Sequence, residues 1–342
     1  MSDEVMSGVP ASGHVDRLGR ALTDLRLSVT DRCNFRCRYC MPRELFGADH
    51  TFLERDELLT FEEMTRLLEV FKSLGVRKVR LTGGEPLLRR GLPALVGMLP
   101  KFDDLAMTTN GVLLPRLATP LAEAGLHRVT VSLDALDDET FQKLADTPMR
   151  VADVVAGIDA AREAGLAVKV NTVLQRGVND DQLEQMAEWA RERGLTLRFI
   201  EYMDVGTTNG WRREKVVPAV EIRDRLAARW SLAPVQPEVY GEVASRYRYI
   251  DGVAEVGIIS SVTRPFCRTC TRARISSIGE LYTCLFAASG TDLRQLVRGG
   301  GDNQRLAEAI KQVWGLRTDR ASELRSEGGL LGPRVEMSYI GG

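Results

Sequence analysis

Residues 25–40 read LRLSVTDRCNFRCRYC, a strand-like run that leads directly into three cysteines. Apolar and polar side chains alternate over its first six residues, which is the period of a β-strand with one apolar and one polar face. The cysteines that follow, Cys33, Cys37 and Cys40, have the spacing Cys-x3-Cys-x2-Cys. The stretch therefore predicts a strand that carries a set of thiol ligands in the loop at its carboxyl end.

Five more runs of strand type follow, separated by amphipathic stretches of helical period. This alternation is typical of βα units around a parallel sheet. The six predicted strands are residues 25–30, 78–82, 105–109, 128–133, 167–173 and 196–202. Beyond them we expect a helix near 221–230 and a β-region at 247–259.

Capping residues mark several helix ends. Thr60 with Glu63, and Asn179 with Gln182, predict helix starts of the capping-box type. Four glycines each follow a helical stretch and precede a strand, where a left-handed helix cap is expected: Gly75, Gly125, Gly165 and Gly194. Their recurrence supports the assignment of helices and strands.

Several of the predicted strands have one polar face, which is unusual because helices normally cover both faces of a parallel sheet. Arg26, Arg80 and Lys169 lie on these polar faces. We expect the polar face to line an interior that is open to water and polar ligands, as in a wide or incomplete barrel. The alternative is a sheet whose polar face contacts solvent.

The chain has six cysteines, and they divide into two groups of three. The second group, Cys267, Cys270 and Cys284, has the spacing Cys-x2-Cys-x13-Cys. Each triad is one ligand short of the four that complete a structural zinc site or a fully ligated iron–sulfur cluster. A 4Fe–4S cluster held by three cysteines leaves one iron free, so the triads suggest two clusters with an open iron each. A zinc site is the alternative.

The composition is that of an ordinary globular protein of 342 residues with a formal net charge of −1, which argues against a general nucleic-acid binder. No apolar run approaches the roughly 18 residues of a membrane span, and no secretory signal is visible, so we expect a cytoplasmic protein without a membrane partner. We expect an N-terminal tail (1–20), a main domain (21–210), a C-terminal domain (211–325) and a C-terminal tail (326–342).

The first triad, with Tyr39 beside its last cysteine, resembles the signature of the radical S-adenosylmethionine superfamily, and the glycine-rich turn at 83–86 after the second strand fits it. Further segments resemble the family of GTP 3',8-cyclases of molybdenum cofactor biosynthesis. They are LRLSVTDRCNFRC (25–37), VSLDA (131–135), RFIEYM (198–203), FCRTCTRAR (266–274) and the Gly-Gly end (341–342). The resemblance covers the chain from about residue 20 to its end.

The resemblance implies an α/β fold, an incomplete (β/α)6 TIM-type barrel with a smaller C-terminal α+β domain that carries a second 4Fe–4S cluster. It implies that S-adenosylmethionine is bound by Tyr39, Gly84, Ser132 and Met203. It implies that GTP is bound by Arg26, Arg80, Thr108, Lys169, Arg272 and Arg274, of which the last two position the substrate. The radical chemistry itself is carried by the cofactor, so no side chain is expected to be a catalytic acid or base.

Two more cations, Lys78 and Arg198, are candidates for the interior, and the alternative for them is an internal ion pair with Asp134 or Glu201. For the Gly-Gly end the family resemblance implies insertion toward the active site, whereas a frayed terminus and a diglycine for carboxyl activation are the alternatives.

The implied reaction cyclises GTP to (8S)-3',8-cyclo-7,8-dihydroguanosine 5'-triphosphate. The expected partners are an electron donor and a downstream cyclic pyranopterin monophosphate synthase, and the expected assembly is a homodimer or a monomer. Two other functions stay open. One is a radical S-adenosylmethionine enzyme that modifies peptides and carries an auxiliary cluster, and the other is a non-catalytic zinc-binding module.

Overall fold

The computed structural model describes residues 14–206, 210–299, 302–326 and 334–341. Six parallel strands form the centre of its sheet, and all six predicted strands are confirmed to within two residues at either end. They are β1 (Asp24–Ser28), β2 (Lys78–Thr82), β3 (Asp104–Thr109), β4 (Arg128–Ser132), β5 (Ala167–Leu174) and β6 (Thr196–Glu201). Each strand pairs in parallel with the next one along the chain.

Strands from the C-terminal region extend this sheet at both edges. They are β7 (Leu232–Val235), β8 (Ser245–Tyr249), β9 (Glu255–Ile259), β10 (Arg272–Ile275), β11 (Glu280–Tyr282) and β12 (Thr291–Asp292). The order is β12-β11-β10-β1-β2-β3-β4-β5-β6-β9-β8-β7, with β10 parallel to β1 and β9 parallel to β6. Since the two outermost strands do not pair in the described part of the chain, the sheet is an open, partial barrel.

Helices cover the apolar face of the sheet. In chain order they are α1 (Phe61–Ser73), α2 (Leu92–Met98), α3 (Leu114–Glu123), α4 (Asp138–Ala145), α5 (Val151–Glu163), α6 (Leu183–Glu192), α7 (Ala219–Arg229), α8 (Arg294–Arg298), α9 (Asn303–Gly315), α10 (Ala321–Ser326) and α11 (Met337–Ile340). The strand residues on this apolar face, Leu25, Leu27, Val79 and Leu81, are fully buried in the core that the helices cover. No helix within these described ranges is both long and apolar enough to cross a membrane.

Most of the predicted helix ends are confirmed. Thr60 and Glu63 form the reciprocal capping box at the start of α1. The four predicted cap glycines all have positive φ: Gly75, Gly125, Gly165 and Gly194. The capping box of Asn179 and Gln182 is wrong, because the Asn179 amide donates instead to the carbonyls of Asp134 (2.7 Å) and Val173 (2.9 Å) and so joins the ends of β4 and β5.

The polar face of the sheet turns inward, so the alternative of a solvent-facing sheet is wrong. Ser28 is fully buried, Thr82 is 3% exposed and Arg80 is 6% exposed. Arg80 and Thr82 line a cavity of about 330 Å³ on the concave side of the sheet. The fold therefore encloses polar side chains in the way that the strand alternation predicts.

Candidate active site

The cavity brings together nearly all of the predicted site residues. Both cysteine triads line it, together with Arg26, Tyr39, Arg80, Gly84, Thr108, Ser132, Met203, Arg272 and Arg274. Lys169 is half-buried on β5 and is not among the described residues that line the cavity. Burial and the nearby guanidinium of Arg198 lower the pKa of Lys169 to about 8.

The first triad lies in the loop after β1, and its three thiols are half-buried and free. The glycine-rich turn after β2 is fixed to this loop, because the Gly84 N–H donates to the Thr30 carbonyl (3.0 Å) and the Glu85 N–H to that of Arg32 (2.8 Å). A Cβ on Gly84 would lie 2.4 Å from the Arg32 carbonyl oxygen. Glycine is therefore required here by the close approach of two backbones.

Two buried carboxyl groups support this half of the cavity. The Tyr39 hydroxyl donates to Asp134 (2.6 Å), which also accepts from the Val173 N–H (2.8 Å). Glu85 accepts from the Thr109 hydroxyl and from the Asn110 N–H, both at 2.7 Å. Burial raises the pKa of Asp134 to about 6 and that of Glu85 to about 7.

The second triad comes from two places in the C-terminal region. Cys267 and Cys270 flank a short turn before β10, and Cys284 follows β11. Burial opposes ionisation of the Cys270 thiol, but the guanidinium groups of Arg272 and Arg317 outweigh it and lower its pKa to about 6. Each of these arginines donates an N–H to the Cys270 sulfur at 3.3 Å.

The donor set of each triad fits an iron–sulfur cluster better than a single ion. Across the described ranges, no three His, Cys, Asp or Glu side chains are grouped so that they could hold one metal ion. Thiolates on one zinc ion, at about 2.3 Å each, would have to lie within about 4 Å of one another, whereas the thiolates on a 4Fe–4S cluster bind separate irons. Two buried N–H groups of cavity-lining residues, Arg20 Nη2 and Arg26 Nε, have no partner in the described part of the chain, and they can donate to a bound anion or sulfide.

A row of three arginines crosses the floor of the cavity. Arg26 on β1 is in register with Arg274 on one side and with Arg80 on the other. Neighbouring strands are about 4.8 Å apart, so three like charges are held side by side. Burial, followed by repulsion from Arg272, lowers the pKa of Arg26 to about 10, and burial lowers that of Arg80 and of Arg274 well below the ordinary value.

The row two residues earlier along the strands is balanced. There Asp24 is in register with Arg272 and Lys78, and Lys78 is in register with Asp104. Lys78 pairs with Asp24 (3.2 Å), so the alternative that it pairs with Asp134 or Glu201 is wrong. The arginine row thus lies beside a neutralised layer, and none of its three guanidinium groups forms an ion pair with a described residue.

Arg198 also lines the cavity, and it does not form the ion pair considered as its alternative. Its guanidinium donates to Asn171 (2.9 Å) and to Thr130 (3.2 Å). Glu201 is instead fully buried and accepts from the N–H groups of Ala219 (2.7 Å) and Val262 (2.7 Å), so it joins three chain segments at the end of β6.

The C-terminal end enters the cavity side of the sheet. The Gly341 carbonyl accepts a hydrogen bond from Arg274, and a Cβ on Gly341 would lie 2.0 Å from the Thr82 hydroxyl. The expectation that the Gly-Gly end inserts is confirmed as far as Gly341, and Gly342 lies outside the described residues.

Some residues around the cavity carry no motif that could have identified them. Arg20 lies 247 positions before Cys267, whose carbonyl it contacts, and Arg317 lies 47 positions after Cys270. Asp134 lies in the VSLDA segment and is predicted as a possible ion-pair partner of Lys78 or Arg198, but it binds the Tyr39 hydroxyl instead. A sequence motif cannot reveal contacts between residues so far apart in the chain, because only the fold brings them together.

Comparison with known proteins agrees with this geometry. Residues 27–190 match the radical SAM superfamily model and residues 195–323 the Molybdenum Cofactor Synthesis C model. A GTP 3',8-cyclase of Acidothermus cellulolyticus is 55% identical over 96% of this chain and 98% of its own, and one of Staphylococcus epidermidis is 47% identical over the same shares. The crystal structure of Streptococcus suis SuiB bound to S-adenosylmethionine has a similar fold, with a TM-score of 0.60 at 16% identity over 89% of this chain and 71% of that one.

Proposed function

Since this chain belongs to the family of GTP 3',8-cyclases, we propose that it cyclises GTP to (8S)-3',8-cyclo-7,8-dihydroguanosine 5'-triphosphate, the first step of molybdenum cofactor biosynthesis. The observation that carries the proposal is the cavity in which two thiol triads meet a row of three arginines that has no acidic partner among the described residues. A nucleoside triphosphate supplies the negative charge that this row lacks, and a cluster with a free iron suits each incomplete triad.

Cys33, Cys37 and Cys40 would hold one 4Fe–4S cluster, and Cys267, Cys270 and Cys284 would hold a second. When bound, the first cluster and S-adenosylmethionine would supply the radical that removes hydrogen from ribose C3' of GTP. After the C3'–C8 bond has formed, one electron from the external donor and one proton would complete the product. The protein provides placement and exclusion of solvent for this chemistry.

We assign S-adenosylmethionine to the part of the cavity nearest the first triad. Gly84 offers its backbone there, on a turn that is fixed to the cysteine loop. Tyr39, Ser132 and Met203 line the same cavity, and the hydrogen bond from Tyr39 to Asp134 holds the tyrosine ring in one orientation. These contacts orient the cofactor without taking part in bond cleavage.

GTP is assigned to the arginine row and the second triad. Arg26, Arg80 and Arg274 would bind phosphate oxygens, since planar guanidinium groups make paired, charge-assisted hydrogen bonds to phosphate. Thr108 holds Arg80 in place through a 3.0 Å hydrogen bond. Arg272 follows Cys270 by two residues and would hold the nucleotide next to the second cluster, while Lys169 would reach the site from its edge. Holding the ribose against the cofactor accelerates the reaction by positioning.

The test of this function is an anaerobic incubation of the reconstituted protein with S-adenosylmethionine, a reductant and GTP. We expect 5'-deoxyadenosine and cyclised GTP to form together. Formation of 5'-deoxyadenosine at the same rate without GTP would contradict the substrate assignment.

The second triad is tested by Cys284→Ser. We expect iron to fall from about eight to about four atoms per chain and cyclisation to stop. Unchanged iron content, or full cyclisation with one cluster, would contradict the proposed second cluster. Zinc without iron in the wild-type protein would favour the zinc-binding module instead.

A peptide-modifying radical enzyme is a weaker alternative, because three neighbouring arginines without an acidic partner among the described residues have no use in binding a neutral peptide. We further propose a cytoplasmic location, where the six free thiols stay reduced. An external electron donor and a downstream cyclic pyranopterin monophosphate synthase complete the proposed set of partners.

A further inference from the structure

A buried charged network lies beside the second triad at the wall of the cavity, and the proposed reaction gives it no role. It consists of Asp16 and Arg20 from the N-terminal segment and of Arg317 and Asp319 from the segment after α9. Arg20 is fully buried, and Asp16 and Arg317 are each 4% exposed. Buried charges are costly unless they are paired, so a network of this kind needs a specific reason.

The two arginines of the network contact the cysteine ligands directly. Arg20 Nη1 donates to the Cys267 carbonyl (2.7 Å) and to the Asp319 carbonyl (2.8 Å). Arg317 Nη1 donates to the Cys270 carbonyl (2.8 Å), and its Nη2 donates to the Cys270 sulfur (3.3 Å). The backbone of both cysteines and one of the sulfurs are thus held by guanidinium groups.

The network fixes both arginines before any ligand binds. Asp16 Oδ2 accepts from Arg20 Nε at 2.6 Å and lies 3.4 Å from Arg317 Nη1. The Trp314 indole N–H donates to the Arg20 carbonyl (3.0 Å), and the Arg317 guanidinium stacks 4.4 Å from the centre of the same ring. Rotation of either arginine would break several of these contacts at once.

We propose that Arg317 is a positioning residue for the second cluster, and that Asp16 and Arg20 make the N-terminal segment part of the same support. The proposal rests on the proposed function, since it takes Cys267 and Cys270 as cluster ligands. An N–H donated to a ligand sulfur withdraws electron density from it and so raises the reduction potential of the cluster. The positive charge of Arg317 acts in the same direction.

Arg272 also donates to the Cys270 sulfur, but unlike Arg317 it has a proposed contact with GTP. Arg272 lies on β10 and stacks on Phe266, with its centre 5.0 Å from the ring. The proposed function gives it a substrate contact as well. Arg317 also lines the cavity, but its remaining donors are on a backbone carbonyl and on carboxylates, and the proposed function gives it no contact with GTP. Its substitution, measured without GTP, therefore tests the support of the cluster.

The experiment uses the full-length chain with Cys33, Cys37 and Cys40 replaced by serine, so that any cluster signal comes from the second triad. In this background we compare Arg317→Gln and Arg317→Lys with the parent. The matched control is Arg225→Gln, because Arg225 makes a bidentate pair with Glu184 (2.7 and 2.6 Å) on α6, in a part of the fold that does not line the cavity. The readouts are the reduction midpoint from electron paramagnetic resonance and the rate of iron release to a chelator.

We expect Arg317→Gln to lower the reduction midpoint and to speed iron release about 10- to 100-fold, as is typical when an outer-shell partner of a metal ligand is lost. Arg317→Lys keeps the positive charge but cannot donate to both the Cys270 carbonyl and the Cys270 sulfur in the same way, so its midpoint and release rate should lie between those of the parent and of Arg317→Gln. Arg225→Gln should match the parent. The inference would be overturned if Arg317→Gln had the reduction midpoint and the iron-release rate of the parent. If Arg317→Gln does not fold, an unchanged midpoint and release rate in Arg317→Lys would overturn it. If the parent itself binds no iron–sulfur cluster, the proposed second cluster is wrong, which is a separate and recognisable outcome.

Discussion

Replacement of Arg26 by glutamine should stabilise the protein without substrate and weaken GTP binding. Arg26 stands between Arg80 and Arg274 in register, and its Nε has no partner among the described residues. Two unit charges about 5 Å apart repel by about 3 kcal/mol at an effective dielectric constant of about 20. The guanidinium groups can splay apart and Asp24 offsets part of the repulsion, so we expect a net gain of about 1–3 kcal/mol in the free energy of unfolding.

The same substitution removes a charged contact to phosphate. A hydrogen bond to a charged group contributes about 1.5–3 kcal/mol, so the dissociation constant for GTP should rise about 10- to 150-fold. In the wild-type protein, bound GTP would offset the repulsion among Arg26, Arg80 and Arg274. The variant should therefore gain less stability than the wild type when GTP is added.

The assay is the thermal midpoint of the anaerobic, cluster-loaded protein with and without GTP, together with equilibrium dialysis of GTP. For a chain of 342 residues, the expected gain corresponds to a rise of about 1.5–4 °C without GTP. The control Arg225→Gln should lose at most about 1 kcal/mol and leave GTP affinity unchanged. The reasoning is refuted if Arg26→Gln lowers the midpoint without GTP and binds GTP as tightly as the wild type.

Three further predictions concern the supports of the cavity. In Gly84→Ala the new Cβ would lie 2.4 Å from the Arg32 backbone, so we expect this variant to hold less iron at the first triad. In the control Gly97→Ala, in α2, the new Cβ meets nothing within 4 Å, so the free energy of unfolding should rise by about 0.5–1 kcal/mol. Iron content and thermal midpoints of the two variants test this prediction. Burial raises the pKa of Glu85 to about 7, so the folded state binds its proton more tightly, and stability should fall as the pH rises from about 4.5 to about 7 and then level off. Glu85→Gln should flatten that part of the profile in denaturant titrations, and an unchanged slope would contradict the assignment. Glu201→Gln turns an amide N–H₂ toward backbone donors and should cost about 2–4 kcal/mol in the same titrations, so a loss below 1 kcal/mol would show that this carboxylate does not hold the end of β6.

Features that depend on neighbours along the chain could be predicted from the sequence. The alternation of residues 25–30 is local, and it gives the first strand and the polar face correctly. The two cysteine spacings are local too, and the structure brings both groups of cysteines to one cavity. The partner of Lys78 could not be predicted, because Asp24, Asp134 and Glu201 are all acidic and only the strand register decides among them. The Asn179 capping box failed for a similar reason, since a side chain with a helix-capping pattern found stronger partners on two strands.

The pairing of β1 with β10 explains why a nearly neutral chain can hold a concentrated positive site. Cys270, Arg272 and Arg274 are spaced by two residues, so once β10 pairs with β1 the same register that sets Arg274 beside Arg26 also sets Arg272 beside Asp24. One layer is thereby neutralised and the next is left positive, although both have the same polar alternation in the sequence. Because Cys270 lies only two residues before the first residue of this strand, a shift of the β1–β10 register would displace the second triad and the arginine row together. The site for a polyanion and the thiols beside it therefore depend on the same strand pairing at the edge of the sheet.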